Sequence, residues 1–309
     1  MTPAVSIIVP TLNAMASLPA LLDAIDRQDD GAPREVVVVD SGSTDGTGEY
    51  VMSRLGRMIQ VDRFNHGTTR NTGVEESRAP LVVLTVQDAL PVGRDWLQQL
   101  LCPLRADARV AGVFARQIPR PDASPVIRHG LNQWVAARPE ARVVELTPTE
   151  FQALAPMRRL DRCAFDNVCS AIRREVWQRH PFAATPIAED LEWSRDVLLA
   201  GYRIAYQPSS VVEHSHDRPA RYELARTWAL HQRLHHLFGV RTIASLPALL
   251  HSLGSTAACH RRLLREAGIT TGQRGWLRAT ALGIAWPLGQ FVGGWTAAHG
   301  RDRWRPGGV

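Results

Sequence analysis

Two adjacent acids, Glu189-Asp190, open a helical pattern that continues through Leu191, Trp193, Val197 and Leu198. A carboxylate so placed can take a proton from a hydroxyl, or it can cap the first turn of its helix, where acids are common. Arg70 lies just inside a helix expected to begin near Thr68. There a guanidinium and free backbone amides would both face a phosphate, the plainer alternative being a surface salt bridge. Asp40 ends the valine-rich run from Glu35 to Val39, directly before Ser41-Gly42-Ser43-Thr44-Asp45-Gly46. That turn needs capping as well, and Ser43 and Asp45 are better suited to it than Asp40. Cys102, Cys163, Cys169 and Cys259 show no CxxC spacing and read as reduced thiols with no zinc or redox role.

These groups need a scaffold that gathers them. Val5 to Val9 is a β-branched run ending at Pro10, which reads as a buried strand. Ser17 can cap the following segment, Pro19 suits a first helical turn, and Leu18, Leu21, Leu22 and Ile25 recur at helical spacing. The same alternation returns with Glu35 to Val39, a helix carrying Tyr50, Val51, Met52 and Leu55, a short strand at Ile59 to Val61, and a strand at Leu81 to Thr85. Strand-helix alternation builds a parallel sheet with right-handed crossovers, and ligands gather beyond the carboxyl ends of its strands. The loops at Pro10, Asp40 and Gln87 are therefore expected to converge.

The chain of 309 residues allows one large α/β domain with a helical extension. With 45% hydrophobic and 21% charged residues it is neither disordered nor fibrous. A net charge of +6 points to an anionic partner. The first strand is followed by Pro10-Thr11-Leu12-Asn13 in place of GxGxxG, and Gly67 to Gly73 has neither the spacing nor the lysine of a phosphate loop. Dinucleotide-binding domains and P-loop kinases are thereby disfavoured, and no nucleic-acid module is present to turn the charge into nucleic-acid binding.

The motifs resemble those of family 2 glycosyltransferases. The likeness is carried by Ile7 to Asn13, Val37 to Thr47, Phe64 to Asn71, Thr85 to Pro91 and Ala188 to Trp193, about the first 220 residues. The His66-Gly67-x-x-Arg70-Asn71 stretch and Gln87-Asp88-Ala89 are most similar to bacterial rhamnosyltransferases. The resemblance implies an α/β fold of the GT-A (Rossmann-like, nucleotide-diphospho-sugar transferase) type, with a catalytic domain over residues 1–218 and a helical extension over 219–309. It implies an inverting transfer of a sugar, rhamnose in the narrowest reading, from a nucleotide diphosphate donor (dTDP-rhamnose or a UDP-sugar) to a hydroxyl of a glycan or lipid-linked acceptor in cell-surface glycan synthesis.

It also assigns roles. Pro10, Thr11, Asn13, Asp40, Ser41, Arg70 and Gln87 would hold the nucleotide, with His66 a possible helper. Asp190 would be the base, with Glu189 in reserve. Asn167 and Ser170 would meet sugar hydroxyls, and Trp193 would either stack on a sugar or pack in the core. Arg173 and Arg174, nearby, read as an exposed helical face. The family's Asp-x-Asp metal element is reduced here to Gln87-Asp88, so the divalent metal (Mg2+ or Mn2+) would rest on Asp88 with His214 or His216, and Gln87 would offer at most a neutral carbonyl oxygen. Those histidines point to opposite faces of a strand unless the strand has ended, and His214 is preferred. Loss of one carboxylate keeps a catalytically silent carbohydrate-binding relative in view, and a nucleotidyltransferase is the second alternative. Donor turnover separates the first of these from an enzyme.

Beyond His216 the pattern becomes helical and basic, with Tyr222, Leu224, Ala225, Trp228, Leu234, Leu237 and Phe238 among arginines and histidines. Such a helix would bury its apolar side on protein or rest on a membrane. Ala279 to Ala298 carries no charge, but Pro287 and four glycines suit two packed helices or a re-entrant segment better than a span. The first nine residues lack a signal-peptide pattern. A cytoplasmic location is expected, with peripheral attachment to the cytoplasmic membrane face, and the tail from Arg301 to Val309 is expected to be mobile.

Overall fold

The computed structural model describes residues 3–29, 31–271 and 273–301. Of the tail expected to be mobile, residues 302–309 lie outside the described residues. The chain divides into two compact units. The first comprises the residues up to Ile118, Trp134–Ala153 and Arg162–His214. The second comprises Pro119–Gln133, Leu154–Asp161 and the residues from Ser215 onward. The division thus falls four residues before the expected boundary, and it assigns two earlier segments to the C-terminal unit.

The first unit is built on a sheet with nine strands among the described residues: β1 (Val5–Thr11), β2 (Arg34–Asp40), β3 (Ile59–Gln60), β4 (Leu81–Thr85), β5 (Leu90–Pro91), β6 (Val110–Ile118), β7 (Arg142–Val144), β8 (Cys169–Arg173) and β9 (Arg203–Glu213). Their order is β3-β2-β1-β4-β8-β6-β9-β5, with β7 also on β9. The strands β3, β2, β1 and β4 run parallel, as the alternation requires. β8 enters antiparallel between β4 and β6, so the sheet is mixed. β1 is buried along its whole length, which is why it reads as an unbroken apolar run.

Helix Leu18–Asp26 packs Leu18, Leu21, Leu22 and Ile25 into the core beside Ile7 and Val9. Ser17 stands at its N-cap position but makes no side-chain cap bond. Helix His66–Glu75 lies directly on β1, because a Cβ added at Gly73 would come within 2.3 Å of Ile8 Cγ2. β9 pairs parallel with β6, but the register jumps from Ala115↔Gln207 to Arg116↔Val211, so Pro208, Ser209 and Ser210 leave the ladder. Proline has no N–H to give a ladder, and a bulge is where it fits.

Arg173 and Arg174 do not form an exposed helical face. Arg173 donates from Nε to Val110 O (2.8 Å) and from Nη2 to Leu104 O and to Asp107 O (3.0 Å). Arg174 donates to Ala79 O and Val74 O, both at 2.7 Å, and to Ser77 Oγ at 2.6 Å. Each guanidinium satisfies carbonyls near the C-terminus of a helix, where they have no intrahelical donor.

In the second unit, helix Ala220–Phe238 packs against helix Arg274–Ala298. The uncharged segment is therefore one helix containing Pro287, and not two packed helices or a re-entrant turn. Its glycines bring the backbones together, since a Cβ at Gly293 would sit 2.4 Å from Trp228 O and 2.9 Å from His231 Cβ. Gly293→Val is expected to cost about 1–3 kcal/mol through overpacking. Loss of helical signal at lower temperature in far-ultraviolet circular dichroism would show it, and an unchanged melting point would contradict so close an approach. Among the described residues no helix is long and apolar enough to cross a membrane.

Candidate active site

The loops beyond β1, β2 and β4 meet, as their position at carboxyl ends predicts. Gln87 joins two of them with both ends of its amide. Its Oε1 accepts from Leu12 N at 2.8 Å and its Nε2 donates to Leu12 O at 3.2 Å. Each end keeps one further position, a second lone pair on the oxygen and a second hydrogen on the nitrogen, beyond the pair of bonds that pins the Leu12 loop. Asn13, in a left-handed conformation at φ 51, accepts from Thr44 N at 2.9 Å, and its own N–H donates to Ser43 Oγ at 2.8 Å. Asp45 accepts from Met15 N and from the backbone and hydroxyl of Thr47, the capping role assigned to it from sequence.

Asp40 is buried, with all four carboxylate acceptor positions filled from within the chain. Thr11 Oγ1 (2.8 Å) and Ser43 Oγ (2.5 Å) donate to one oxygen, Gly42 N (3.0 Å) and Ser43 N (2.8 Å) to the other. Burial alone would raise its pKa, but these bonds outweigh it and hold the carboxyl below the usual range. Asp40 is thus committed to the turn, and any bond to a nucleotide would displace one of these four. Thr11 is buried with its hydroxyl on Asp40, and Pro10 lies inside β1 opposite Val39. Ser41 differs, since its hydroxyl oxygen is shielded from solvent and meets no protein partner.

The phosphate role of Arg70 is corrected as well. The helix starts at His66, and its N-cap Asn65 already accepts from Gly67 N and Thr68 N, each at 3.1 Å. Arg70 is 3% exposed and donates to Glu189 Oε1 at 2.8 Å, to His66 O at 3.0 Å and to Asn167 O at 3.4 Å. Its Nη1 also lies 3.3 Å from His66 Nδ1. Glu189, 4% exposed, takes a further bond from Asn167 Nδ2 at 3.2 Å. A buried, paired carboxylate anchors two helices and is unsuited to serve as a reserve base. Asn167 and Ser170 are themselves buried, Ser170 Oγ donating to Asn167 Oδ1 at 2.8 Å, so neither side chain is presented to a sugar. Trp193 is 2% exposed between Phe165 and Phe182, with its indole N–H on His180 O, and is core and not a sugar platform.

Asp190 remains. Its helix, Glu189–Leu199, begins after Ala188, a non-glycine residue in the left-handed region at φ 61 that provides no side-chain cap. Asp190 Oδ1 accepts from Leu191 N at 2.8 Å and Oδ2 from Asn167 N at 3.3 Å. Burial, reinforced by the charges of Glu189 and Asp166, pushes its carboxyl well above the usual carboxylate range. A carboxylate of raised proton affinity, partly reachable from solvent, is suited to general-base work. Cys169, by contrast, is buried and its thiol is pushed up to about 12, in keeping with an inert residue.

Asp88 Oδ1 lies 3.8 Å from His214 Nε2, each side chain 13% exposed. His216 follows two residues along the chain, at the start of the second unit. A carboxylate with an imidazole suits Mn2+ better than Mg2+, which prefers oxygen ligands. Two residues given no role in the sequence reading connect this pair with Asp190. His214 Nδ1 lies 3.2 Å from Gln117 Oε1, and Gln117 Nε2 donates to Asp166 Oδ2 at 2.6 Å. Trp134 Nε1 donates to the same oxygen at 3.0 Å, while Val168 N donates to Asp166 Oδ1 at 3.0 Å. The neighbour of Asp166, Asn167, donates its N–H to Asp190. From the other side, Val86 N and Thr85 Oγ1 both donate to Val168 O at 3.2 Å, tying the Asp88 loop to the start of β8. The sequence signal for Gln117 was one neutral amide near the end of the largely apolar run Val110–Ile118, where the structure buries it to 4% exposure.

The sequence pattern of the family described as Glycosyltransferase like family 2 matches residues 3–234. The O-antigen chain rhamnosyltransferase RfbN of Salmonella typhimurium is 31% identical over 228 residues, 72% of this chain and 69% of its own length. The O-antigen chain rhamnosyltransferase WbaN of Salmonella anatum is 30% identical over 236 residues, 72% of this chain and 70% of its own. In fold the chain is similar to mannosyltransferase PcManGT from Pyrobaculum calidifontis, solved with GDP-Man and Mn2+. The TM-score is 0.62 at 22% identity, with 98% of this chain and 89% of that chain covered. It is also similar to glucosyl-3-phosphoglycerate synthase from Mycobacterium tuberculosis, solved with Mn2+ and UDP-glucose (TM-score 0.57, 21% identity, 79% and 82% covered). A mixed sheet with parallel strands feeding one loop cluster, acids at the start of helix Glu189–Leu199 and a family pattern spanning three quarters of the sequence lead to one conclusion: this chain belongs to glycosyltransferase family 2 and has the GT-A fold.

Proposed function

We propose that the protein is an inverting rhamnosyltransferase, which moves rhamnose from dTDP-rhamnose, or a related sugar from UDP, to a hydroxyl of a glycan or lipid-linked acceptor during O-antigen-like glycan synthesis. Sugar and pathway are supported by the two curated relatives, both O-antigen chain rhamnosyltransferases at about 30% identity. The reaction type rests on one observation: Asp190, with a raised carboxyl pKa, is hydrogen-bonded to the segment whose Asp166 leads through Gln117 to His214 and Asp88.

In this reading Asp190 takes the proton of the acceptor hydroxyl as its oxygen attacks the anomeric carbon, and the nucleoside diphosphate leaves from the opposite face. Asp88 and His214 would hold a divalent ion, which would supply positive charge against the departing diphosphate. Thr11, Asn13, Asp40 and Ser41 shape the nucleotide end, with the Ser41 hydroxyl the polar group there best placed to bond a ligand. Gln87 serves by pinning the Leu12 loop, so its departure from the two-acid pattern does not itself argue for a silent relative. Attachment to the cytoplasmic membrane face belongs to the same proposal and is supported by exposed Leu246, Leu250, Leu277 and Ile284 in the second unit.

A panel of nucleotide sugars with Mn2+ tests this reading. A donor at one hundred times its Kd adds about 2.7 kcal/mol to the native state and raises the melting temperature. dTDP-rhamnose is expected to give the largest rise and to be consumed when acceptor is present. Binding without turnover would favour the silent relative, and no response to any donor would reject the proposal.

A further inference from the structure

The chain from Asp166 to His214 fixes which nitrogen of that imidazole carries hydrogen. Asp166 is an acceptor, so the atom of Gln117 that meets its Oδ2 at 2.6 Å must be the amide nitrogen. Trp134 Nε1, a donor only, bonds that same oxygen, and Val168 N bonds the other. Three N–H groups thus point at one carboxylate. The amide of Gln117 cannot flip without setting its carbonyl oxygen against Asp166. With Nε2 so committed, Oε1 is the atom that faces His214 Nδ1 at 3.2 Å. A carbonyl oxygen can only accept, so Nδ1 must bear the hydrogen, and the lone pair of the neutral ring lies on Nε2. Nε2 is the atom 3.8 Å from Asp88 Oδ1.

We infer that Gln117, oriented by Asp166, is a positioning residue that sets the tautomer and ring orientation of His214 and so makes its Nε2 a metal ligand. The inference rests on the reading of Asp88 and His214 as metal ligands, and it adds the device that prepares one of them. Ligating histidines characteristically donate their second ring N–H to a carbonyl or carboxylate, and removing that partner typically weakens metal binding 10- to 100-fold. Gln117 is 4% exposed at the end of β6, while β9 ends at Glu213, just before His214, so the two strand ends hold the donor and acceptor in place. His214 N donates to Ile118 O at 3.0 Å, which fixes the backbone of the histidine against the residue after Gln117.

The test uses the full chain with Mn2+ alone as the probe. Free Mn2+ is counted by electron paramagnetic resonance, and the ring nitrogens are read by NMR of protein labelled with 15N-histidine, with His214 assigned by the His214→Gln variant. Wild type is expected to show a protonated Nδ1 and an unprotonated Nε2 at His214. Gln117→Leu is expected to lose that preference and to bind Mn2+ 10- to 100-fold more weakly. The variant Gln117→Glu leaves Asp166 and its Trp134 and Val168 donors in place and, with one carboxyl proton held between the two acids, keeps an oxygen that accepts from His214. It is expected to recover the Nδ1–H form and most of the affinity, which a purely structural role would not predict. A wild-type His214 protonated at Nε2, or Mn2+ affinity within twofold of wild type in Gln117→Leu, would overturn the inference. Wild-type protein that binds no Mn2+ would overturn the metal reading itself, while the nitrogen shifts would still decide the tautomer.

Discussion

Asp190→Asn is expected to slow sugar transfer by roughly 10²–10⁴-fold, the usual worth of a positioned base, and to raise the melting temperature as it does so. The second effect follows from the raised pKa, caused by burial and by the charges of Glu189 and Asp166. Folding tightens the hold of this carboxyl on its proton, so the wild type loses stability as pH rises from the unfolded pKa through the folded one. Asparagine has no proton to lose and escapes that penalty. The gap in melting temperature should therefore be small in acid, open across that window and level off above it. A tenfold change in proton affinity is worth about 1.4 kcal/mol, and each kcal/mol moves a domain of this size by about 2–4 °C. The rate of the wild type should fall on the acid side with a midpoint well above 3.8, since only the ionised carboxyl accepts the proton. Donor binding, measured by thermal shift, should survive the substitution. An Asp190→Asn protein that transfers sugar at the wild-type rate would dismiss Asp190 as the base.

The second large effect concerns stability. Arg70→Ala strips the partner from a Glu189 side chain that is 4–5% exposed and leaves its charge buried. Breaking such a pair from one side costs about 3–5 kcal/mol, a fall in melting temperature on the order of 10 °C. Arg70→Met combined with Glu189→Gln removes both charges, fills the volume and keeps an acceptor for Asn167 Nδ2. It should recover most of the loss, because well-packed neutral replacements of buried ion pairs are often tolerated. A single variant that melts with the wild type would show that the pair contributes nothing.

Arg70 also marks the limit of what the sequence reveals. Its helix, its motif and the convergence of the loops at Pro10, Asp40 and Gln87 were legible, because valine runs ending in turn residues announce parallel strands and their carboxyl-end loops. Its partner was not, since Glu189 lies 119 positions away and nothing local distinguishes an arginine aimed at phosphate from one aimed at a buried acid. Asp40 was ambiguous for a related reason. A carboxylate at a strand end fits both a ligand and a turn, and the four donors that decide between them come from Thr11 as well as from its own loop. Trp193 followed the commoner fate of a tryptophan at helical spacing. The Asp166–Gln117–His214 chain draws on a loop and the ends of two strands, so only the three-dimensional arrangement brings it into view.

The departure of Pro208, Ser209 and Ser210 from the ladder gives β9 two separately phased halves. The earlier half, Ile204 to Tyr206, is laced to β7, and the later half, Val212 and Glu213, to β5. Side chains alternate strictly along a strand, so a single residue added or removed after Val211 would turn His214 to the wrong face of the sheet. Within the bulge only Pro208 and Ser209 have room for such a change, since Ser210 is buried and donates from its Oγ to Trp96 O at 3.1 Å. The bulge thus sets the register of the strand end that carries His214 apart from the register of its beginning.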